Sequence, residues 1–408
     1  MRFALVFTSL LASGCAALER PGNIEPVAEG ASYQAQLRDA DGWPEANDPK
    51  LAARPGGAAS SIALNAERCA PQPAARPAAA LYGRPAERLS RGDMVALEVT
   101  KDAVFTGRYE ISQDGMLRLP HLHPLAAHGL SASALEGRVR AALVAARYYT
   151  APGPAVSVRL ADHASARVAV SGAVFEPGTV EIGLPGQTID TLRQKTLGAA
   201  TEGRNLSVAL TYAGGARPDA DLSRVLLTRA GVVSAHDLRG AVTGAPFQDV
   251  ALLAGDAVHV PSRGCFQEAL VKPSAVTRAG VTTFLSNLTT PALSNANSAI
   301  GRETRDMAYG TRFSQAVFSM NCVGGAALTN ADRYAVLFTR NPMTGRSLVI
   351  ERRLERLIRR DLRDDYDPFI MPGDALACYD SAVTNLAQVT ELVSKTLATA
   401  YAVKAHPF

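Results

Sequence analysis

From Leu81 onward, apolar and polar residues alternate along short runs of the chain. The run from Met94 to Val99 is one example, and the run from Gly107 to Ser112 leads through Asp114-Gly115 into another. Alternation with a period of two is typical of half-buried strands, and an Asp-Gly pair between two such runs predicts a hairpin. Helical periodicity is confined to a few short stretches. The pattern therefore predicts an α+β fold built mainly from short strands.

Two later parts of the chain repeat one order of features. A Gly-Gly pair is followed by a strand-like run that ends in Arg, and then by a Gly-Asp pair with a second strand-like run. These markers are, in order, Gly214-Gly215, Arg229 and Gly255-Asp256, and then Gly324-Gly325, Arg340 and Gly373-Asp374. A repeated supersecondary unit predicts two copies of one small α+β domain.

Domain boundaries follow from this repeat. We place a β-rich domain at 81–163, a first repeat domain at 164–264 and a second repeat domain at 265–380. The stretch at about 277–305 is rich in Ser, Thr and Asn, and we expect it to be a loop inserted into the second repeat.

Each repeat is expected to open with a strand, at 167–174 in the first and at about 265–271 in the second. A short helix should follow each opening strand, near Thr188 and near Thr311. The second repeat is longer, and its additional residues include an Arg-rich stretch at 351–363 with apolar residues on one side. We expect this stretch to be a helix whose charged side faces solvent.

The N-terminal residues have the order found in exported proteins. Arg2 supplies one positive charge, a short apolar run follows, and small residues lead to Cys15. This order is typical of a secretory signal peptide, and the apolar run is too short to span a bilayer as a helix. Leu-Ala-Ser-Gly-Cys resembles the lipobox of bacterial lipoproteins, which implies a signal peptide at 1–14 and lipidation of Cys15. The alternative is an ordinary cleaved signal peptide with an incidental Cys.

The residues at 15–80 are rich in Ala, Pro, Gly and short polar side chains, and they show no apolar period. Such a composition predicts a flexible tether with little structure of its own. A tether of this kind suits a lipid anchor, because it lets the folded part stand away from the bilayer.

The C-terminal part, 381–408, is predicted to hold one amphipathic helix from Ser381 to Val403, about 35 Å long at ~1.5 Å per residue. An apolar stripe and a polar stripe lie on opposite faces. The apolar stripe is Leu386, Val389, Val393, Leu397 and Ala400, and the polar stripe is Gln388, Glu391, Lys395 and Thr399. Several copies are able to span lipid together as a barrel around a polar lumen. A single helix docked on the last domain is the alternative.

Composition and motifs argue against several classes of function. The formal net charge of +4 is too weak to indicate nucleic-acid binding. There is no GxSxG, P-loop or GxGxxG motif, and the His residues lack zinc-ligand spacing. We therefore expect no catalytic residue, no metal and no cofactor, and we do not expect an enzyme.

Besides Cys15, the chain has Cys69 in the predicted tether and three Cys residues in the predicted second repeat domain, which are Cys265, Cys322 and Cys378. An oxidising periplasm permits a disulfide between two of these three. The alternative is that all of them are buried thiols, because free Cys behaves as a small apolar residue.

The ordered series of motifs resembles the outer-membrane polysaccharide export family of the Wza type. The first module of that family looks like Leu89 to Asp93 with Gly107 to Pro120, and it closes on Pro154 to Leu160. The family's soluble ligand-binding β-grasp (SLBB) repeats look like Val168 to Val174 and both Gly-Asp strands. The second repeat departs from the pattern, because Lys272-Pro273 stands where a Pro-Gly pair is usual.

This resemblance implies a fold and a set of partners. The fold is a small export domain, two SLBB-type β-grasp domains and a C-terminal amphipathic helix. The resemblance implies a ring homo-oligomer, often an octamer, held in the outer membrane with most of each chain in the periplasm. Its helices would form a pore for capsular or extracellular polysaccharide delivered by an inner-membrane copolymerase. The alternative is a periplasmic polysaccharide-binding or adaptor lipoprotein that forms no pore.

Overall fold

The computed structural model describes residues 33–37, 61–66, 69–72, 88–183, 202–287, 304–320, 322, 333–359 and 366–379. The chain divides into two compact units. One unit comprises residues 69–278. The other comprises residues 279–408 together with residues 1–68.

Two short elements come first among the described residues. A single 3-10 turn covers Ala35–Leu37, and helix α1 covers Ser61–Ala66. The two elements contact each other within the second unit. Tyr33, Ala35 and Leu37 are all buried. The prediction of a structureless tether is therefore wrong at 33–37, because these side chains are packed into a folded domain.

The domain predicted at 81–163, which we call the export domain after the family it resembles, occupies the first part of the 69–278 unit. Its elements are β1 (Met94–Val99), β2 (Asp102–Glu110), β3 (Met116–Leu117), β4 (Leu125–Ala126), α2 (Ala132–Ala145) and β5 (Val156–Asp162). An antiparallel sheet has the order β2-β1-β5, and α2 packs against β5. Leu135, Val139 and Leu143 lie one helical turn apart on α2 and are buried in the domain core.

The first β-grasp domain follows in the same unit. Its elements are β6 (Ala166–Gly172), β7 (Gly178–Ile182), α3 (Leu206–Tyr212), β8 (Val225–Arg229), β9 (Val232–His236), α4 (Gly240–Thr243) and β10 (Ala257–Val260). The sheet has the order β7-β6-β10-β8-β9, in which β6 and β10 are parallel and the other neighbours are antiparallel.

The second β-grasp domain repeats this topology. Its elements are β11 (Gly280–Asn287), β12 (Thr304–Ala308), α5 (Phe313–Ser319), β13 (Tyr334–Arg340), β14 (Ser347–Arg353), α6 (Leu354–Arg359) and β15 (Ala375–Tyr379). The order is β12-β11-β15-β13-β14. The central neighbours β11 and β15, the first and last strands of the domain along the chain, are again parallel, and the other neighbours are antiparallel. The predicted α+β fold with several small β-sheet domains is confirmed.

The second repeat opens later than the sequence predicts. Its first strand is β11, which lies within the expected insertion at 277–305, and not the run at 265–271. Residues 265–278 belong to the preceding unit. Leu270 and Val276 are buried in the core of the first β-grasp domain, and the Val276 carbonyl accepts the N–H of Ala216 at 2.8 Å.

One of the predicted helices is partly a strand, and another lies outside the described residues. The stretch at 351–363 was expected to be helical throughout, but β14 runs to Arg353 and α6 begins at Leu354. Leu348, Ile350 and Arg352 share the buried face of β14, which is a strand period. The helix predicted near Thr188 lies outside the described residues, and α3 at Leu206–Tyr212 is the first helix that the structure places in that repeat.

Within the described ranges, no helix combines the length and the apolar character that a bilayer crossing requires.

Candidate functional site

Three Gly-Asp turns share one geometry, and each begins a central strand. The Asp residues are Asp93, Asp256 and Asp374, and they precede β1, β10 and β15. The residue three positions earlier donates its N–H to the Asp carboxylate, at 2.7, 2.8 and 2.8 Å respectively. The Asp N–H is donated back to the carbonyl of that same residue. Each carboxylate therefore holds its turn closed, and all three are at least 97% buried.

Asp93 also carries an ion pair across a domain junction. Arg204, which lies just before α3 in the first β-grasp domain, places Nη1 2.7 Å from Asp93 Oδ1 and Nη2 3.3 Å from Oδ2. The Ala164 N–H donates to Asp93 Oδ1 at 3.0 Å. Both charged side chains are fully buried. The structure thus joins the export domain to its neighbour through a paired, hydrogen-bonded charge, the form in which buried charges occur.

Gly183 makes room for this arginine. A Cβ atom at Gly183 would lie 2.5 Å from Arg204 Cγ, and the backbone there has φ +76°, which favours Gly. His163 is buried close by, and its Nδ1 has no hydrogen-bond partner in the described part of the chain. Burial lowers the pKa of His163, and the positive charge of Arg204 lowers it further. The junction therefore holds one ion pair beside a neutral imidazole.

In the first β-grasp domain the corresponding carboxylate is also paired. Arg229 at the end of β8 donates from Nη2 to Asp256 at 2.6 Å and from Nε at 3.0 Å. Its Nη2 also donates to the Ala251 carbonyl at 2.8 Å. One guanidinium therefore connects the turn, the strand and the segment that leads into the turn.

The second β-grasp domain lacks this arginine. Ala375 pairs with Phe338 as Ala257 pairs with Thr228, so Thr339 takes the place of Arg229. The sequence-based alignment of Arg229 with Arg340 is therefore wrong by one residue. Among the described residues no cation pairs with Asp374. Burial raises the pKa of the Asp374 carboxyl to about 7, against the lowering effect of hydrogen bonds from Met371 and Thr339.

The N-terminal segment occupies the neighbouring position in that domain. Gln34 Nε2 donates to the Phe369 carbonyl at 2.8 Å, and the Phe369 N–H donates to Gln34 Oε1 at 2.8 Å. Phe369 lies five residues before Asp374, as Ala251 lies five before Asp256. In the first repeat, Arg229 donates to the Ala251 carbonyl. In the second repeat, the side-chain amide of Gln34 donates to the corresponding carbonyl, that of Phe369. Arg352 also donates to the Gln36 carbonyl, at 2.8 Å.

Two disulfides hold the units together internally. Cys69 is bonded to Cys265, and Cys322 is bonded to Cys378. One pair among the last three cysteines was expected, and the structure places it at Cys322 and Cys378. Cys265 is not left over, because its partner comes from the predicted tether. The first bond lies within the 69–278 unit and the second within the other unit.

The described residues include no group of three or more His, Cys, Asp or Glu that is placed to hold a metal ion. His121 and His123 are exposed between β3 and β4. Cys15 and the predicted stripes of the C-terminal helix lie outside the described residues. Arg352, assigned to a solvent-facing charged side from sequence, is instead buried and donates to the Tyr366 carbonyl at 3.1 Å.

One comparison with known proteins identifies the first domain. Residues 83–161, from before β1 to within β5, match the family described as polysaccharide biosynthesis/export protein. The resemblance inferred from sequence is confirmed for this domain. Residues 83–161 are therefore a polysaccharide export domain, similar to those of this family. No curated protein matches the chain.

Proposed function

We propose that this protein is a subunit of an outer-membrane channel that exports capsular or extracellular polysaccharide. The observation that carries the proposal is the export domain at 83–161, followed directly by two β-grasp domains of identical strand order. Small domains in series suit a stacked assembly, because each presents sheet edges and faces to neighbours. The subunits form a homo-oligomeric ring, and the polysaccharide passes through its lumen.

The membrane attachment in this proposal has two parts. A lipid on Cys15 holds each subunit at the outer membrane, with most of the chain in the periplasm. The helix at 381–403 inserts beside its neighbours with Leu386, Val389 and Leu397 toward lipid and Glu391 toward the lumen. The amphipathic pattern supports this arrangement, because a polar face in hydrocarbon is unfavourable unless it lines water. An inner-membrane copolymerase delivers the polysaccharide, and no catalytic group is required.

The test is an image and an export measurement on the same protein. Detergent-extracted protein should appear as rings in negative stain, and deletion of 381–403 should abolish surface polysaccharide while the periplasmic domains remain folded. Cys15→Ser should impair ring assembly or localisation. Monomers in detergent together with normal export by the deletion variant would contradict the channel and favour a pore-free adaptor lipoprotein.

A further inference from the structure

Small residues line the central strand on the outer face of the second β-grasp sheet. Ala375 and Ala377 are half-buried on this face of β15, and Leu376 between them is buried in the core. Gly373 precedes them, and a Cβ atom there would meet nothing within 4 Å. The middle of the sheet therefore presents a floor of small residues, with open space at its Gly373 end.

Two exposed aromatic side chains stand on either side of this floor. Phe284 on β11 and Phe338 on β13 are both cross-strand partners of Ala375. They are 52% and 44% exposed, respectively. Since neighbouring strands lie about 4.8 Å apart, the two Phe backbones are separated by roughly 10 Å across the floor. The two exposed Phe side chains therefore border the space above Ala375, which we call the slot.

Polar groups lie at one end of the slot. Thr282, two residues before Phe284, donates its hydroxyl to Asp306 Oδ1 at 2.6 Å, and both side chains are exposed. Across the sheet, Arg340 lies two residues after Phe338 and donates from Nε to the Gly345 carbonyl at 2.9 Å. A carboxylate, a hydroxyl and a guanidinium therefore border an apolar slot.

The first β-grasp domain lacks this slot. Ala257 corresponds to Ala375, and its cross-strand partners are Ala169 and Thr228. These two residues therefore stand where the second domain has Phe284 and Phe338. On the same face, the Ser171 hydroxyl and His259 Nδ1 lie 3.0 Å apart in a hydrogen bond. The aromatic slot is thus a property of one repeat and not of the shared fold.

We propose that the slot formed by Phe284, Ala375 and Phe338 binds a sugar ring of a polysaccharide chain. The inference rests on the proposed function, since it takes its ligand class from the export domain. The C–H faces of a pyranose stack on the negative face of an aromatic ring, while its hydroxyls need hydrogen-bond partners. Asp306, Thr282 and Arg340 supply such partners. A purely apolar protein segment would form no hydrogen bonds with these polar groups.

The binding test uses the full-length protein in detergent and fragments of the polysaccharide released by mild acid from the producing cells. Saturation-transfer NMR, with irradiation of the protein's aromatic protons, reports which sugar protons lie against a ring. Phe284→Leu and Phe338→Leu should each weaken binding roughly five- to tenfold and remove the transferred signal. Phe284→Tyr and Phe338→Tyr should retain both, because they keep the aromatic face.

The matched controls are Val232→Ala and Val233→Ala, which trim exposed apolar side chains on β9 of the other repeat and should leave binding unchanged. Unchanged binding by the Leu variants would overturn the inference, and so would equal losses in the Leu variants and the valine controls. Retention of a bound protein or lipid by the Leu and Tyr variants alike, with no sugar signal, would assign the slot to an apolar partner instead.

Failure of this inference is distinguishable from failure of the proposed function. If deletion of the gene abolishes surface polysaccharide while the purified protein shows no sugar signal at the slot, the export role stands and the slot assignment is wrong. If deletion of the gene leaves surface polysaccharide unchanged, the export role itself fails.

Discussion

Arg204 and Asp93 form an ion pair that is fully excluded from solvent and joins the export domain to the first β-grasp domain. Their nearest atoms are 2.7 Å apart, and neither side chain is exposed. A second connection runs alongside, where the Ala254 N–H donates to the Ser90 hydroxyl at 3.1 Å. The export domain and the first β-grasp domain are therefore expected to unfold together.

The first prediction concerns this ion pair. Arg204→Ala should lower the free energy of unfolding of the 69–278 unit by about 3–5 kcal/mol, because Asp93 would stay buried without its cation. Denaturant unfolding of the full chain measures the loss. Arg118→Ala is the matched control, because its ion pair with Asp114 is about half exposed and screened by solvent, so its loss should change stability much less. Equal losses for the two variants would contradict the assignment.

The second prediction concerns pH and Asp374. Its pKa is about 7 in the folded protein and 3.8 in an unfolded chain, so the folded state binds the proton more tightly. Stability of the second β-grasp domain should therefore be greatest below pH 4 as far as this group is concerned. It should fall by up to roughly 1.4 kcal/mol per pH unit as pH rises toward 7.

Asp374→Asn should remove this pH dependence and raise stability above pH 7, because the amide accepts from Met371 and donates to Thr339 without charge. Thermal unfolding at several pH values is the measurement. Asp256→Asn is the control from the first repeat. It should destabilise its own domain, since it weakens the ion pair with Arg229. A slope that persists in Asp374→Asn would refute the explanation.

The third prediction concerns Gln34. Gln34→Ala should remove the two hydrogen bonds between the Gln34 amide and the Phe369 backbone and lower the free energy of unfolding by about 1–3 kcal/mol. Hydrogen exchange at the Phe369 amide should become faster. Ile62→Ala, at a 66% exposed position of α1, should change stability by less than about 0.5 kcal/mol. Unaltered exchange at Phe369 in Gln34→Ala would argue against the docked segment.

The fourth prediction concerns the disulfides. Replacing Cys69 and Cys265 with Ser should destabilise the 69–278 unit by about 2–5 kcal/mol, because the bond closes a loop between residues 196 positions apart. The matching replacement of Cys322 and Cys378 should affect the other unit instead. Separate unfolding transitions in calorimetry distinguish the two. A variant that shifts the wrong transition would contradict the assignment of its bond.

Local signals predicted most of the described elements. The alternation in β1 was sufficient to predict its strand, because side-chain burial follows from neighbouring residues. The turn at Asp114-Gly115 is present, but the strands on either side belong to different sheets and only an isolated bridge between Ile111 and Leu117 joins them. The repeat of the Gly-Asp turns revealed the two related domains. The opening strand of the second repeat was missed because Thr283 lies on the buried face of β11. A polar residue at that position interrupts the apolar alternation that predicts a strand, so the segment resembled a polar loop.

Contacts between residues far apart in the chain could not be predicted from local sequence patterns. Nothing near Asp93 indicates Arg204, and nothing near Cys69 indicates Cys265, because each partner is brought in by the packing of a separate domain. The five residues from Tyr33 to Leu37 have no helix or strand period of their own. Their place is set by a side-chain amide that pairs with the Phe369 backbone, which only the assembled domain exposes.

The docking of Gln34 on Phe369 has a consequence for the order of folding. The two residues are 335 positions apart, so the segment is made long before its site. The segment cannot reach its contacts until the second β-grasp strands have formed, because those strands build the site. During synthesis the segment must therefore wait while the export domain and the first β-grasp domain fold behind it. The earliest part of the described chain to be made is among the last to reach its final place.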